Sequence, residues 1–188
     1  YEDSEIMGFS HIHLHGTGVP DYGNLLFMPV RGTIDEKAIK EENYKSSFTH
    51  KDEKASPGYY AVTLDKWKVR AELTATTRTA HHRYTYPADA TDRHVLIRVD
   101  HALPGGNVEN GQIVVKNDKE LEGWLFAKGP MSGRSGGFKL YFAIQSREAF
   151  QSGTWKDEKI FPKEVKQEGK KVGAWISFTK GTAPVELQ

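Results

Sequence analysis

Apolar and polar residues alternate with a period of two along most of this chain. The clearest stretch is 69–79, where Val69, Ala71, Leu73 and Ala75 share one side and Arg70, Glu72, Thr74 and Thr76 the other. Alternation of this kind marks a β-strand with one face buried. The same pattern predicts strands at 6–14, 24–30, 59–64, 82–86, 94–100, 112–116, 120–128, 138–145, 172–178 and 185–187. Turn residues separate them. Asp65-Lys66-Trp67-Lys68 reads as a hairpin connection, Ser56-Pro57-Gly58 and Pro104-Gly105-Gly106-Asn107 as turns, and 132–137 as a flexible loop. No segment carries a helical repeat of about twelve residues or more. Residues 35–54 are highly charged and aperiodic, which predicts a surface excursion with one helical turn near 36–41. Roughly ten short strands joined by regular turns predict an all-β fold, an antiparallel β-sandwich with few or no helices. There is no internal repeat and no low-complexity tract.

Composition narrows the function. The chain has 188 residues, with Lys+Arg 26 against Asp+Glu 25. So even a balance argues against nucleic acid as a partner. There is no Cys, which excludes disulfides and Cys-ligated zinc. No run approaches the roughly 18 apolar residues of a membrane-spanning helix. The chain opens Tyr1-Glu2-Asp3-Ser4-Glu5 without a signal peptide, and reads as a processed or excised fragment.

The densest chemistry lies near the start, in Gly8-Phe9-Ser10-His11-Ile12-His13-Leu14-His15-Gly16-Thr17-Gly18. On a regular strand His11, His13 and His15 would share one face, and Ile12 and Leu14 would point into the core. Same-face neighbours lie about 7 Å apart, so three in a row span roughly 14 Å, far beyond metal bonds of about 2 Å. Two could share an ion; all three could not without a bulge. Contact with a polar ligand is the better reading, with Thr17 and Asp21 of the glycine-rich loop 16–23 beside them. For Asp21 itself a turn cap is the better reading than a ligand contact. The loop lacks a Walker motif and opens no helix, so it does not read as a phosphate site. Of His81 and His82, neighbours on a strand, at most one faces a cleft. Thr74 to Thr79 with Arg78 reads as a solvated sheet face. Among Trp67, Trp124, Trp155 and Trp175, Trp67 sits at a hairpin tip and is the least core-like. No carboxylate pair, nucleophile elbow or EF-hand loop is present, so no catalytic residue and no metal ligand is assigned.

Three blocks carry a resemblance. They are Gly8-Phe9-Ser10-His11-x-His13-Leu14-x-Gly16-Thr17-Gly18-Val19-Pro20-Asp21-Tyr22-Gly23, Ala55-Ser56-Pro57-Gly58-Tyr59-Tyr60-Ala61-Val62-Thr63-Leu64-Asp65, and Ala71-Glu72-Leu73-Thr74-Ala75-Thr76-Thr77-Arg78 with His82-Arg83-Tyr84-Thr85-Tyr86-Pro87. Together they resemble glycoside hydrolase family 92. The resemblance implies a galactose-mutarotase-like supersandwich, with residues 1–188 forming most of one N-terminal β-sandwich domain. It implies a parent that is a calcium-dependent, inverting exo-α-mannosidase acting on mannose-containing glycans. The catalytic carboxylates and calcium ligands would lie in a C-terminal (α/α)6 domain absent from this chain. His11, His13, His15, Thr17 and Asp21 would shape the rim of the sugar pocket. Secretion or a periplasmic location follows from the same resemblance. Ile12 and His15 depart from the Thr and Ser common in the family. Two other readings stand beside this one: a stand-alone carbohydrate-binding module using Trp67, and a histidine metalloenzyme on a β-scaffold.

Overall fold

The computed structural model describes residues 3–14, 18–179 and 181–188. The predicted strand at 6–14 is two strands, β1 (Glu5–Ile6) and β2 (Phe9–His13), separated at Gly8. A Cβ on Gly8 would strike Leu26 and the Phe27 carbonyl, and its φ is +146°, so glycine is what lets β2 begin this close to its neighbour. That neighbour is β3 (Tyr22–Val30), buried throughout from Gly23. A short helix α1 (Glu41–Tyr44) and β4 (Ser46–Ser47) follow. Then β5 (Lys54–Ser56), β6 (Tyr59–Leu64), β7 (Val69–Ala75) and β8 (Ala80–Thr85) run as an antiparallel meander. The chain continues through β9 (Arg93–Arg98), β10 (Asn107–Val115), β11 (Glu120–Lys128) and β12 (Phe138–Gln145). β13 (Gln151–Lys156), β14 (Lys159–Phe161) and β15 (Lys166–Gly169) come next, before β16 (Val172–Phe178) and β17 (Val185–Leu187). Alternation did not announce β13 or β15. β13 buries Gly153, Thr154 and Trp155 and β15 buries Gln167, so neither carries a run of alternating apolar residues.

The strands form an antiparallel β-sandwich. The main sheet has the order β14-β13-β16-β9-β3-β2. A five-stranded sheet, β17-β8-β7-β6-β5, and a four-stranded sheet, β12-β11-β10-β15, lie over it, and β1 pairs with β4. Phe27, Ile97, Ala174 and Thr154 are cross-strand partners in succession, so they share one face of the main sheet. On that face Phe27 packs on His82 of the five-stranded sheet, and Thr154 Oγ1 accepts from Gln167 of the four-stranded one. Both smaller sheets therefore cover the same side. Leu26, Arg98, Gly173 and Trp155 form the opposite row. There Arg98 donates to the Ile39 carbonyl and the Tyr44 hydroxyl, both at 3.3 Å.

The segment predicted as a surface excursion is thus a cover. Ile39 and Tyr44 are 4% and 1% exposed. The main sheet has two apolar faces, and a few widely spaced apolar residues suffice to close the second. No helical period is needed for that, which is why the segment read as solvated.

Two tryptophans lock the middle of the main sheet. Trp155 pairs across strands with Gly173, and Gly153 with Trp175. Each glycine lies beneath the indole of the other strand's tryptophan, where a Cβ would collide with the ring. Both tryptophans are core, as their base rate suggests. Trp67 is held too: its Nε1 donates to the Tyr44 carbonyl at 2.8 Å, and its ring packs against the core. Unlike Trp155 and Trp175 it is only partly buried, in line with its place at a hairpin tip.

Candidate functional site

The histidine segment does not alternate as a regular strand would. Phe9 pairs with Phe27 but His11 pairs with Asn24, so two steps along β2 match three along β3. The extra residue makes a bulge at Leu25, opposite Ser10, with φ +58°, and Ile12, two residues further along β2, has φ +61°. A β-branched residue in this region is strained. The pairs on either side, His11 with Asn24 and His13 with Tyr22, hold it there. Ile12 and Leu14 end up 41% and 43% exposed rather than in the core. His11 turns inward and His13 outward. His15 and Thr17 lie outside the described residues.

His11 Nε2 lies 2.9 Å from His82 Nε2, and His82 Nδ1 lies 2.6 Å from the Tyr84 hydroxyl. Tyr84 is fully buried, and among the described residues its hydroxyl has this one partner. A buried hydroxyl proton is costly to leave unbonded. Tyr84 therefore donates to His82 Nδ1, which puts the His82 proton on Nε2, where it donates to His11 Nε2. Burial, with the repulsion of His11 and then His81, pushes the His82 pKa down to about 3. Burial and then His13 bring His11 down to about 4. Both rings are neutral near pH 7. Phe27 packs edge-on against His11 at 5.3 Å between centroids, which completes an aromatic cluster with His82.

His13 has separate company. Its Nε2 lies 3.2 Å from the Ser10 carbonyl and 2.9 Å from Ser10 Oγ, at the surface. His11 and His13 so bond to different partners and do not aim at one point. Among the described residues no group of three or more His, Asp or Glu side chains converges as cation ligands do. A cation held by this chain has no fitting donor set there, and no step of a reaction is assigned to one.

Asp21 is 1% exposed and both its oxygens are engaged. Oδ2 accepts from the Met131 and Ser132 amides at 3.0 and 2.8 Å, and Oδ1 from the Ser132 hydroxyl at 2.8 Å. Desolvation works to raise its pKa, but the hydrogen bonds from Ser132 and Met131 outweigh it and hold the carboxyl below its usual value. Gly129 leaves the room: a Cβ there would occupy the Asp21 carboxylate. The geometry is that of a cap on the 3-10 turn Ser132–Ser135. On the other flank the Asn24 amide donates to the His101 carbonyl at 2.7 Å, and the Leu103 amide to the Tyr22 carbonyl at 3.3 Å. The start of β3 is thereby clamped from two sides, and the loop before it is presented from a rigid base. Of the pair His81 and His82, it is His82 that turns inward, while Tyr84, His101 and Ser132 carry no site signal in the sequence. His82 and Tyr84 sit at alternate, buried positions of β8, a signal that looks like core.

The outer face of the four-stranded sheet carries a second feature. Trp124 pairs across strands with Tyr141, which is 68% exposed, and Lys139 Nζ stands 4.1 Å from the Trp124 ring centroid.

The class of protein defined here is an antiparallel β-sandwich whose β2–β3 end gathers His11, His13 and Asp21. Comparison with known proteins names the family. The model of the glycosyl hydrolase family 92 N-terminal domain matches residues 1–188, and the chain belongs to that family. Its fold is similar to a family 92 α-mannosidase from Bacteroides thetaiotaomicron solved in complex with mannoimidazole, with TM-score 0.86 and 30% identity, covering 100% of this chain and 26% of that one. A family 92 inverting mannosidase of the same organism shares the fold at TM-score 0.80 and 21% identity, with 24% of its chain covered. Among curated proteins, an uncharacterized secreted glycosidase of Arthroderma benhamiae is 31% identical over 106 residues, 53% of this chain and 14% of that protein. The chain thus spans about a quarter or less of the length of these relatives.

Proposed function

We propose that this domain belongs to an exported, calcium-dependent, inverting exo-α-mannosidase and lends its β2–β3 end to the rim of the sugar pocket. The observation that carries the reading is the clamped base of that end: Asp21 on Ser132 and Asn24 on His101 hold the start of β3, with which the exposed His13 pairs through Tyr22. A rim that must place hydrogen-bond donors against a sugar needs such rigidity. In this reading His13 and Thr17 touch the glycan, His15 modulates the fit, and Asp21 anchors the loop while His11 supports it from below. The general acid, the general base that activates water, and the calcium ligands come from the rest of the parent. This chain alone is then inactive. Export accords with the relative described as a secreted glycosidase.

The test is hydrolysis of an aryl α-mannoside by the natural-length protein and its His13→Ala variant. Losing one hydrogen bond to the sugar lowers kcat/KM by about tenfold. Unchanged kinetics would remove His13 from the site. The pairing of half-buried Trp124 with exposed Tyr141 favours a second reading, a carbohydrate-binding surface. Calorimetry with mannobiose decides that one: heat that vanishes in Tyr141→Ala supports it, and no heat ends it.

A further inference from the structure

The inner face of the five-stranded sheet thins toward one end. Ala55, Tyr60, Leu73 and His82 stand in one cross-strand row across β5 to β8, on the side of the main sheet. Two residues further along, the same face holds only Ala75 opposite Ala80. Small side chains there leave a hollow of about 410 Å³. β2, the edge strand of the main sheet, closes it from the other side with Phe9, Ser10 and His11. The Phe9 and Tyr60 rings meet at its base, 6.5 Å apart between centroids.

The lining is unlike the rest of the surface. Charged residues make up 27% of the chain, yet among the described residues no Asp, Glu, Lys or Arg borders the hollow. Burial keeps His11 and His82 neutral. A cation finds no carboxylate there, and an anion no Lys or Arg. One fixed donor remains. With His11 Nε2 accepting from His82, the His11 proton sits on Nδ1, and among the described residues that N–H has no partner. At the mouth the Tyr59 hydroxyl donates to Glu72 at 2.8 Å, which holds in place a ring that is 38% exposed. Ser10 joins the hollow to the exposed His13, whose Nε2 lies 2.9 Å from its Oγ.

We propose that this hollow binds a neutral sugar ring on the leaving side of the glycosidic bond, next to the sugar that His13 touches; the assignment rests on the mannosidase reading. The apolar C–H face of the ring packs between Tyr59 and the alanines, and one ring hydroxyl accepts from His11 Nδ1. In that reading the cleaved sugar lies among carboxylates and a cation, which the hollow does not supply. Its neutral neighbour needs neither. The volume is near the small end of the ~300–1,000 Å³ of small-molecule sites, so the hollow takes a ring with its substituents and not a long chain. The buried Tyr84–His82–His11 relay has a use here. It fixes which His11 nitrogen carries the proton, and so makes the hollow select for an acceptor.

The test is calorimetry of the natural-length protein with mannose and with an S-linked α-mannobiose, which resists hydrolysis. The second ring adds a hydrogen bond and a stacking face, so the disaccharide binds about tenfold tighter. Ala75→Leu and Ala55→Leu each fill the hollow from an exposed position and bring the two affinities together. A melting temperature equal to the parent's shows that each variant is folded. Equal or undetectable affinities in the parent overturn the proposal, as does a preference for the disaccharide that survives either substitution. Cleavage is not measured, so a failure here is separate from a failure of the mannosidase reading, which the aryl α-mannoside tests.

Discussion

His11 and His82 meet Nε2 to Nε2, and burial holds both neutral. An unfolded histidine titrates near 6.5, whereas these titrate at about 4 and about 3 in the fold. As pH falls below 6.5 the unfolded chain takes up protons that the folded chain refuses. The stability is complete above that pH and drains as the pH drops toward 4. His82 alone accounts for about 2 kcal/mol lost between pH 6.5 and 5, from about 1.4 kcal/mol per unit. His101, brought to about 4 by burial and then Arg98, adds to the trend. Denaturant midpoints measured at pH 7 and pH 5 check this. Equal midpoints would mean that the pair is solvated or already charged. The direction of the proton has its own check. Tyr84→Phe removes the donor to His82 Nδ1 and leaves that nitrogen buried without a partner, at a cost of about 1–3 kcal/mol in equilibrium unfolding.

At the scale of elements, two devices fix what the strands display. The first is the reciprocal glycine–tryptophan pairing between β13 and β16. Gly153→Ala pushes a methyl into the Trp175 ring, and overpacking of this sort costs about 1–3 kcal/mol. Thermal unfolding of that variant is the measurement, and a melting temperature equal to the parent's would show that the ring can step aside. The second is Asp21 capping the turn at Ser132. Asp21→Ala frees the Met131 and Ser132 amides and loosens both the turn and the loop it supports. Faster proteolysis within 129–137, with the melting temperature nearly kept, is the expected result. Cleavage at the parent's rate would mean the cap does not order the loop.

At the scale of the molecule, one sheet buried on both faces makes the sandwich. The main sheet takes the two smaller sheets on one side and the 31–53 segment on the other. Much of this was legible in the chain. β6, β11, β12, β16 and β17 stand where the alternation put them, because each carries apolar residues at alternate positions on a core-facing side, such as Val62 and Leu64, Leu121 and Leu125, Phe142 and Ile144, Ile176 and Phe178, and Val185 and Leu187. β13 and β15 were not legible, since Trp155 is the one large apolar side chain among their buried positions, beside Gly153, Thr154 and Gln167.

The sequence by itself determined the strand class, the turns between strands and the family, through three ordered blocks. Each of these is local, written in spacing that any β-sheet must obey. Where His11 and His13 point was decided only by the tertiary structure. One extra residue on β3 and a left-handed Ile12 turn a run of alternating histidines into one buried ring and one exposed ring. The partners that settle each fate, His82 for His11 and Ser132 for Asp21, lie 71 and 111 residues away along the chain. A period of two cannot encode such distances. Only the packing of one sheet on another brings those groups together.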